Sequence, residues 1–167
     1  KGALRELTYG IVDPHIWFDV SLWQEAVSRI AEQMKISDPK NATTYQKNAD
    51  IYLAKLKKLH LQVKNDIAKI PNDQRTLITS HDAFGYFGRA YAIEVRGLQG
   101  ISTVSEAGLK DITDLVNFIV DKKLKAVFVE TSVSQKDIRS VLVGCQEKGL
   151  DLKIGGTLYG DAMGEAN

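Results

Sequence analysis

The feature that most constrains this fold is a long amphipathic segment between Pro39 and Pro71. Its apolar residues recur at steps of mostly three or four, the spacing of one helix face: Tyr45, Ala49, Tyr52, Leu53, Leu56, Leu59, Val63, Ile67 and Ile70. Asp38 can cap its start, Pro39 suits a first helical turn and Pro71 ends it. The pattern predicts a helix of about 30 residues, about 45 Å long. Because the stripe is not a strict heptad, a helix running through the protein is favoured over a coiled coil.

A shorter helix is predicted before this segment. Asp19 is a candidate N-cap, and apolar residues follow it at helical spacing, which predicts a helix over residues 19–35. Asp13 precedes a proline, so its backbone is pushed out of the α region into a turn or extended entry. Pro14 then suits the first position of a short helical segment.

The pattern changes after Pro71 to alternating short strands and helices. We predict strands over 76–79, 93–98, 126–129 and 152–154, helices over 82–91, 109–122 and 134–148, and a Gly/Ser/Thr loop over 99–108. Gly155 and Gly156 are interpreted as a turn near the sheet edge. This alternation is typical of an α/β fold, here a three-layer α/β/α lobe with a mostly parallel sheet.

Composition narrows the function classes. The 22 Lys and Arg residues nearly balance the 21 Asp and Glu residues, which argues against a nucleic-acid binder. No apolar run reaches the roughly 18 residues of a membrane span. The single cysteine, Cys145, excludes a multi-cysteine zinc site, and we expect it to be a small apolar residue in a helix.

Polar side chains at strand ends mark a candidate site. In an open α/β sheet, ligands bind outside the carboxyl ends of the strands. His81, Glu130 and Asp161 each lie at or after the end of a different predicted strand. Imidazole and carboxylate are common ligands of divalent ions. On spacing alone, however, a structural histidine is the more common outcome.

Four motifs carry a family resemblance. They are DPHIWFD at 13–19, SHDAFGYF at 80–87, LQGIS at 98–102 and GDAMG at 160–164. In order and separation they resemble the zinc/manganese solute-binding proteins of ABC importers, the TroA-like periplasmic family, over essentially the whole chain.

The resemblance implies two α/β lobes joined by one long backbone helix, with a metal ion held in the cleft between the lobes. Residues 1–36 would be a remnant of the N-terminal lobe, residues 37–71 the connecting helix, and residues 72–167 a C-terminal lobe that is incomplete at its end. The whole protein would be an extracytoplasmic receptor that delivers the metal ion to an ABC importer permease. We expect an intact monomer, with a lipid anchor outside this chain as its link to the membrane.

The resemblance also implies the ligand set. His15, His81 and Asp161 match three of the four family ligand positions, and the fourth, a histidine further upstream, has no counterpart here, so we expect an incomplete site. Glu130 is a candidate for orienting an imidazole, although a solvated or capping carboxylate is an equal alternative. A nitrogen-rich donor set favours Zn²⁺ over Mn²⁺.

The alternative function is a metal-dependent hydrolase with the same His15, His81 and Asp161 ligands and Asp82 or Glu130 as base. It needs an open coordination position, and the sequence contains no familiar hydrolase motif. We therefore expect that the protein is not an enzyme. A cell-adhesion role, sometimes attributed to such surface lipoproteins, has no independent support in the sequence.

Two other features are expected to have structural roles. Trp17, Phe18 and Trp23 are expected to pack in the core near the cleft rather than to form a substrate platform. His60, in the middle of the long helix, is expected at the helix surface or at an interface.

Overall fold

A computed structural model describes most of the chain, namely residues 4–6, 10, 12–101 and 107–164. The predicted loop over 99–108 lies partly outside the described residues, as does Ser102 of the third motif. The outer ends of the predicted segments 1–36 and 72–167 also include positions that are not described.

Two helices form the N-terminal part of the fold. Helix α1 spans Val20–Ser37, and the Asp19 carboxylate caps it by accepting a hydrogen bond from the Ser21 backbone N–H at 3.0 Å. A 3-10 turn at Pro39–Asn41 leads into helix α2, Ala42–Ala68, which has 27 residues and is therefore about 40 Å long. The long helix is confirmed, with its first predicted turn wound as the tighter 3-10 form.

A parallel sheet with interleaved helices follows. Its elements are β1 (Thr76–His81), α3 (Gly85–Tyr91), β2 (Glu94–Gln99), α4 (Leu109–Lys122), β3 (Ala126–Glu130), α5 (Lys136–Glu147) and β4 (Lys153–Leu158). The strand order is β2-β1-β3-β4, and each neighbouring pair is parallel. The α/β class is confirmed, but the interpretation of Gly155 and Gly156 as a turn is wrong, because both lie inside β4.

Helices α4 and α5 cover one face of the sheet. Ile78 of β1 and Val127 of β3 are fully buried there, against Ile119 of α4 and Val141 of α5. Cys145 belongs to the same core, as expected. Each such side chain contributes about 1.5–3 kcal/mol by leaving water, so this core fixes the strands that carry the site.

Helix α3 lies on the other face, where Gly88 approaches the Val95 side chain. Helices α1 and α2 pack against α3 through a second cluster centred on Val20, Leu56 and Tyr91. His60 joins this contact, with Nδ1 3.1 Å from the Tyr91 hydroxyl. His60 is therefore an interface residue of the long helix.

The strand order places a crevice at one position in the sheet. Strand β1 lies between β2 and β3, so the chain leaves β1 toward one side for β2 and reaches β3 on the other. Such a reversal opens a crevice outside the carboxyl ends of the two central strands, where α/β proteins bind ligands. His81 ends β1 and Glu130 ends β3 at this crevice. No helix in the described part of the chain is both long and apolar enough to cross a membrane.

Candidate metal centre

The three predicted ligands converge. His15 precedes the 3-10 turn Ile16–Phe18, His81 ends β1, and Asp161 follows β4. One ligand atom from each of the three residues lies within 4.8 Å of the others. Asp161 lies between the imidazoles: Oδ1 is 3.0 Å from His15 Nε2 and Oδ2 is 3.4 Å from His81 Nε2.

A buried carboxylate orients the first imidazole. His15 is 2% exposed, and its Nδ1 lies 2.7 Å from Oδ1 of the fully buried Asp13. The same oxygen accepts a hydrogen bond from the His15 backbone N–H at 3.0 Å. Because a carboxylate only accepts, Nδ1 is the donor in this contact, and Nε2 is the nitrogen that faces Asp161.

The second imidazole also has a carboxylate neighbour. His81 is fully buried, its Nδ1 lies 2.7 Å from Glu130 Oε2, and Glu130 Oε1 accepts a hydrogen bond from the His81 backbone N–H. The Nδ1 and Oε2 atoms are close enough for an ion pair but are not aligned for a hydrogen bond. Burial lowers the pKa of His81, while the carboxylates of Glu130, Asp161 and Asp82 raise it by more, so the net shift is upward.

The described atoms around His81 fit a cation. Its Nε2 is a buried nitrogen without a hydrogen-bond partner among the described residues, and such atoms are rare unless an ion or water satisfies them. A tetrahedral ion bound at 2.0–2.1 Å needs ligand atoms about 3.3 Å apart. Asp161 approaches the two imidazoles through different oxygens, at 3.0 and 3.4 Å, and one ligand atom from each residue lies within 4.8 Å of the others, so small shifts would bring the three to that spacing. Two imidazole nitrogens and one carboxylate oxygen make a suitable donor set for a transition metal.

Gly160 brings Asp161 to the two imidazoles. A Cβ added at Gly160 would overlap Glu130 Oε2 and lie 2.9 Å from His81 Cε1. The backbone therefore approaches the His81–Glu130 pair as closely as a glycine permits. Asp161 follows at once, and its side chain, 34% exposed, is the most accessible of the three candidate ligands.

Sequence reasoning missed the contacts that support His15. The Asp13 carboxylate was interpreted only as part of a turn, although a carboxylate two positions before a candidate ligand is a usable signal. Arg5 was not singled out, yet its guanidinium bonds Asp13 Oδ2 at 2.7 Å and Asp82 Oδ2 at 2.8 Å. No local pattern points to this contact between residues 77 positions apart.

The aromatic prediction is partly wrong. Trp17 is 39% exposed and packs edge-on against His15, with 5.3 Å between ring centroids. Phe18 instead packs against Phe84, with 4.2 Å between the ring centroids. Trp17 therefore lies partly exposed beside His15 and is not a core residue.

The geometry does not favour the hydrolase alternative. Asp82 is paired with Arg5, and Glu130 is buried against His81. Glu130 is therefore closed off from a substrate, and Asp82 is already engaged by a guanidinium, so neither is a free base for proton transfer.

Comparisons with known proteins identify metal-binding relatives over most of this chain. The chain is 48% identical over 153 residues to the manganese-binding lipoprotein MntA of Bacillus subtilis, and 42% identical over 154 residues to the zinc-binding protein TroA of Treponema pallidum. Each match covers 92% of this chain and 50% of the relative, so the chain spans about half the length of these curated relatives. The names of these relatives give no support to a hydrolase.

Solved structures show the same fold. The periplasmic zinc-binding protein TroA of Treponema pallidum superposes with a TM-score of 0.94 at 40% identity, over 98% of this chain and 59% of TroA. Iron-bound YtgA of Chlamydia trachomatis superposes with a TM-score of 0.91 at 26% identity, over 98% of this chain and 61% of YtgA.

A family model covers nearly the entire sequence. The model described as zinc-uptake complex component A, periplasmic, matches residues 2–167, a range that includes all three converging side chains. The chain therefore belongs to the ZnuA family of periplasmic zinc-uptake components.

Proposed function

We propose that this chain supplies part of the metal site of an extracytoplasmic receptor, in which His15, His81 and Asp161 bind a divalent transition metal for delivery to an ABC importer. The observation that carries the proposal is the convergence of one ligand atom from each residue within 4.8 Å. The family membership and the relatives named for metal binding support the same function.

The arrangement suits capture of an ion. Both imidazoles are buried, and each has a carboxylate beside its Nδ1, so their Nε2 atoms are presented before an ion arrives. A carboxylate beside Nδ1 raises the basicity of the ligand nitrogen, and an aligned one also fixes the ring orientation. The exposed Asp161 gives the ion an entry point and supplies a charge that partly offsets the dication.

We further propose Zn²⁺ as the preferred cargo over Mn²⁺. The named relatives divide, since MntA is called manganese-binding, TroA zinc-binding and YfeA of Yersinia pestis iron-binding. The argument for zinc therefore rests on the donors. Two imidazoles and one carboxylate suit Zn²⁺, and Mn²⁺ is the weakest binder among the first-row divalent ions.

The domain assignment and the partners belong to the same proposal. Residues 1–36 would belong to the N-terminal lobe, residues 37–71 to the connecting helix and residues 72–167 to the C-terminal lobe, with a fourth ligand from outside this chain. The receptor would be monomeric and would dock on a membrane permease. The names of relatives that are lipoproteins, among them MntA and SloC of Streptococcus mutans, support a lipid anchor.

Metal-dependent thermal stabilisation tests the proposal. A bound ion at 100 times its dissociation constant should stabilise the fold by about 2.7 kcal/mol. Zn²⁺ should stabilise the chain at lower concentration than Mn²⁺, and His81→Ala should abolish the effect of both ions. His60→Ala is the matched control, because His60 contacts Tyr91 and lies away from the ligand cluster. Equal stabilisation of the parent and His81→Ala would contradict the proposed site.

A further inference from the structure

One arginine connects the two halves of the candidate site. The Arg5 guanidinium contacts Asp13 Oδ2 through Nη1 at 2.7 Å, and it contacts Asp82 through Nη2 at 2.8 Å and Nη1 at 3.3 Å. Asp13 holds the His15 ring, and Asp82 directly follows His81. The planar fork of arginine can hold two carboxylates in fixed directions, whereas the point charge of lysine cannot.

Helix α3 provides a fitted place for this guanidinium. A Cβ added at Gly85 would overlap the Arg5 side chain, with Nε at 2.9 Å. The neighbouring Tyr86 is fully buried, and its hydroxyl accepts a hydrogen bond from the Arg5 backbone N–H at 2.9 Å and donates one to the Asp13 carbonyl at 3.0 Å. The Asp13 backbone N–H in turn donates to the Arg5 carbonyl at 2.9 Å. These contacts fix both the backbone and the side chain of Arg5.

We propose that Arg5, seated on Gly85, is a positioning residue that sets the spacing of His15 and His81 before an ion binds. We call Arg5, Asp13, Asp82 and Gly85 the Arg5 clamp. The inference rests on the proposed metal-binding function, which it deepens. The clamp acts on the two backbone segments and contributes no ligand atom, so its effect on the ion is through the geometry of the imidazoles.

Electrostatics and geometry predict opposite changes in Zn²⁺ affinity when the Arg5 side chain is removed. Removing a positive charge near a cation site strengthens metal binding by charge alone. Loosening the His15 segment weakens metal binding, because a mobile ligand must be ordered when the ion arrives. The clamp therefore predicts that Arg5→Ala lowers Zn²⁺ affinity, by about tenfold, in the range seen for contacts that support metal ligands.

The test uses Arg5→Ala, Arg5→Lys and Gly85→Ala in this chain, with Zn²⁺ affinity measured by chelator competition. Arg5→Lys keeps the charge but loses the planar fork, so it should weaken binding as well. Gly85→Ala changes no charge but displaces the guanidinium, so it should weaken binding as Arg5→Ala does. In the Arg5→Ala background the same Gly85→Ala change should have no further effect. Arg96→Lys and Gly156→Ala are matched controls: Arg96 pairs with Glu94 away from the site, and a Cβ at Gly156 would meet only ordinary contacts at 3.8 Å.

A second readout uses the metal-free chain. The His15 and His81 ring centroids are 5.5 Å apart, so the parent should show a nuclear Overhauser effect between the two rings. It should disappear in Arg5→Ala and Gly85→Ala and persist in both controls. This signal separates the two proposals: a parent that binds no metal but shows this pattern contradicts the metal function and supports the clamp. Persistence of the signal in Arg5→Ala and Gly85→Ala, with parental affinity, overturns the clamp.

Discussion

The two imidazoles of the candidate site are held in different ways. The His15 arm (Arg5, Asp13 and His15) is a turn whose geometry depends on side chains: an aligned contact from Nδ1 to Asp13, backed by Arg5. The His81 arm (His81, Glu130 and Gly160) is fixed by sheet backbone, and its Nδ1 contact to Glu130 is close but unaligned. Within the described part of the chain, Glu130 forms an ion pair only with His81.

The two arms should therefore be sensitive to different substitutions. The position of His81 is set by β1, which lies between two other strands over a buried core. The position of His15 has no such support, since the described segment around it contains only a 3-10 turn and an isolated bridge. Changes to the sheet core should therefore act through the His81 arm, and changes to polar contacts should displace the His15 arm.

The largest expected effect comes from the core beneath the His81 arm. Ile78 of β1 is fully buried, so Ile78→Ala should lower the free energy of unfolding by about 2–5 kcal/mol, through lost burial and the cavity left behind. Urea denaturation measures the change. Ile30→Ala, at an exposed position of α1, should change stability by less than about 0.5 kcal/mol. Equal effects at the two positions would mean that the sheet core does not hold the His81 arm.

The next prediction distinguishes the role of the Asp13 carboxylate from that of the Glu130 carboxylate. Asp13→Asn and Glu130→Gln should each weaken Zn²⁺ binding by about 10–100-fold, because each removes the negative charge beside a candidate ligand imidazole. Only Asp13→Asn should also abolish the Overhauser effect between the histidine rings in the metal-free chain. In Glu130→Gln the amide oxygen still accepts from the His81 backbone N–H, and β1 keeps His81 in place.

Asp66→Asn is the control for both carboxylate changes, because Asp66 pairs with Lys69 on the surface of α2. Its affinity and its ring-to-ring signal should equal those of the parent. Loss of the signal in Glu130→Gln would show that the two arms are equally dependent on side-chain contacts.

The sequence predicts the regular parts of this structure better than the supports of its site. Helix α4 has the predicted bounds, Leu109–Lys122. The prediction succeeds because the apolar spacing of this helix is strict and Gly108 precedes it. The sequence predicts that the last strand ends at residue 154, because a Gly-Gly pair usually marks a turn. The observed strand β4 continues to Leu158. Here Gly155 lies in the strand, and a Cβ added there would meet the Phe128 ring at 3.0 Å. A close approach between strands has no signature in local sequence.

The candidate ligands also differ in how well the sequence alone predicts them. His81 follows from the strand-end rule, and its convergence with Asp161 was expected on the same ground. His15 lies in a turn, where no periodicity points to a site, and only the family resemblance identified it. Arg5 has no local signal, because its function depends on contacts with Asp82 and Tyr86, which are distant in the chain. The metal-binding role of these residues remains a prediction.

The smallest effect tests the His81 arm without changing any polar group. A Cβ in Gly160→Ala would overlap Glu130 Oε2, so Glu130 or the backbone that carries Asp161 must shift. Because the ligands themselves remain and the fold is held by the sheet, we expect Zn²⁺ affinity to fall by about tenfold, the low end for changes beside a ligand. The ring-to-ring signal of the metal-free chain should persist, since His15 is held through Asp13 and not through Gly160.

Gly164→Ala adds the same methyl with contacts no closer than 3.9 Å and should bind as the parent does. Loss of the ring signal in Gly160→Ala would show that the arms are coupled through Asp161, and the distinction between a sheet-held and a side-chain-held histidine would then fail.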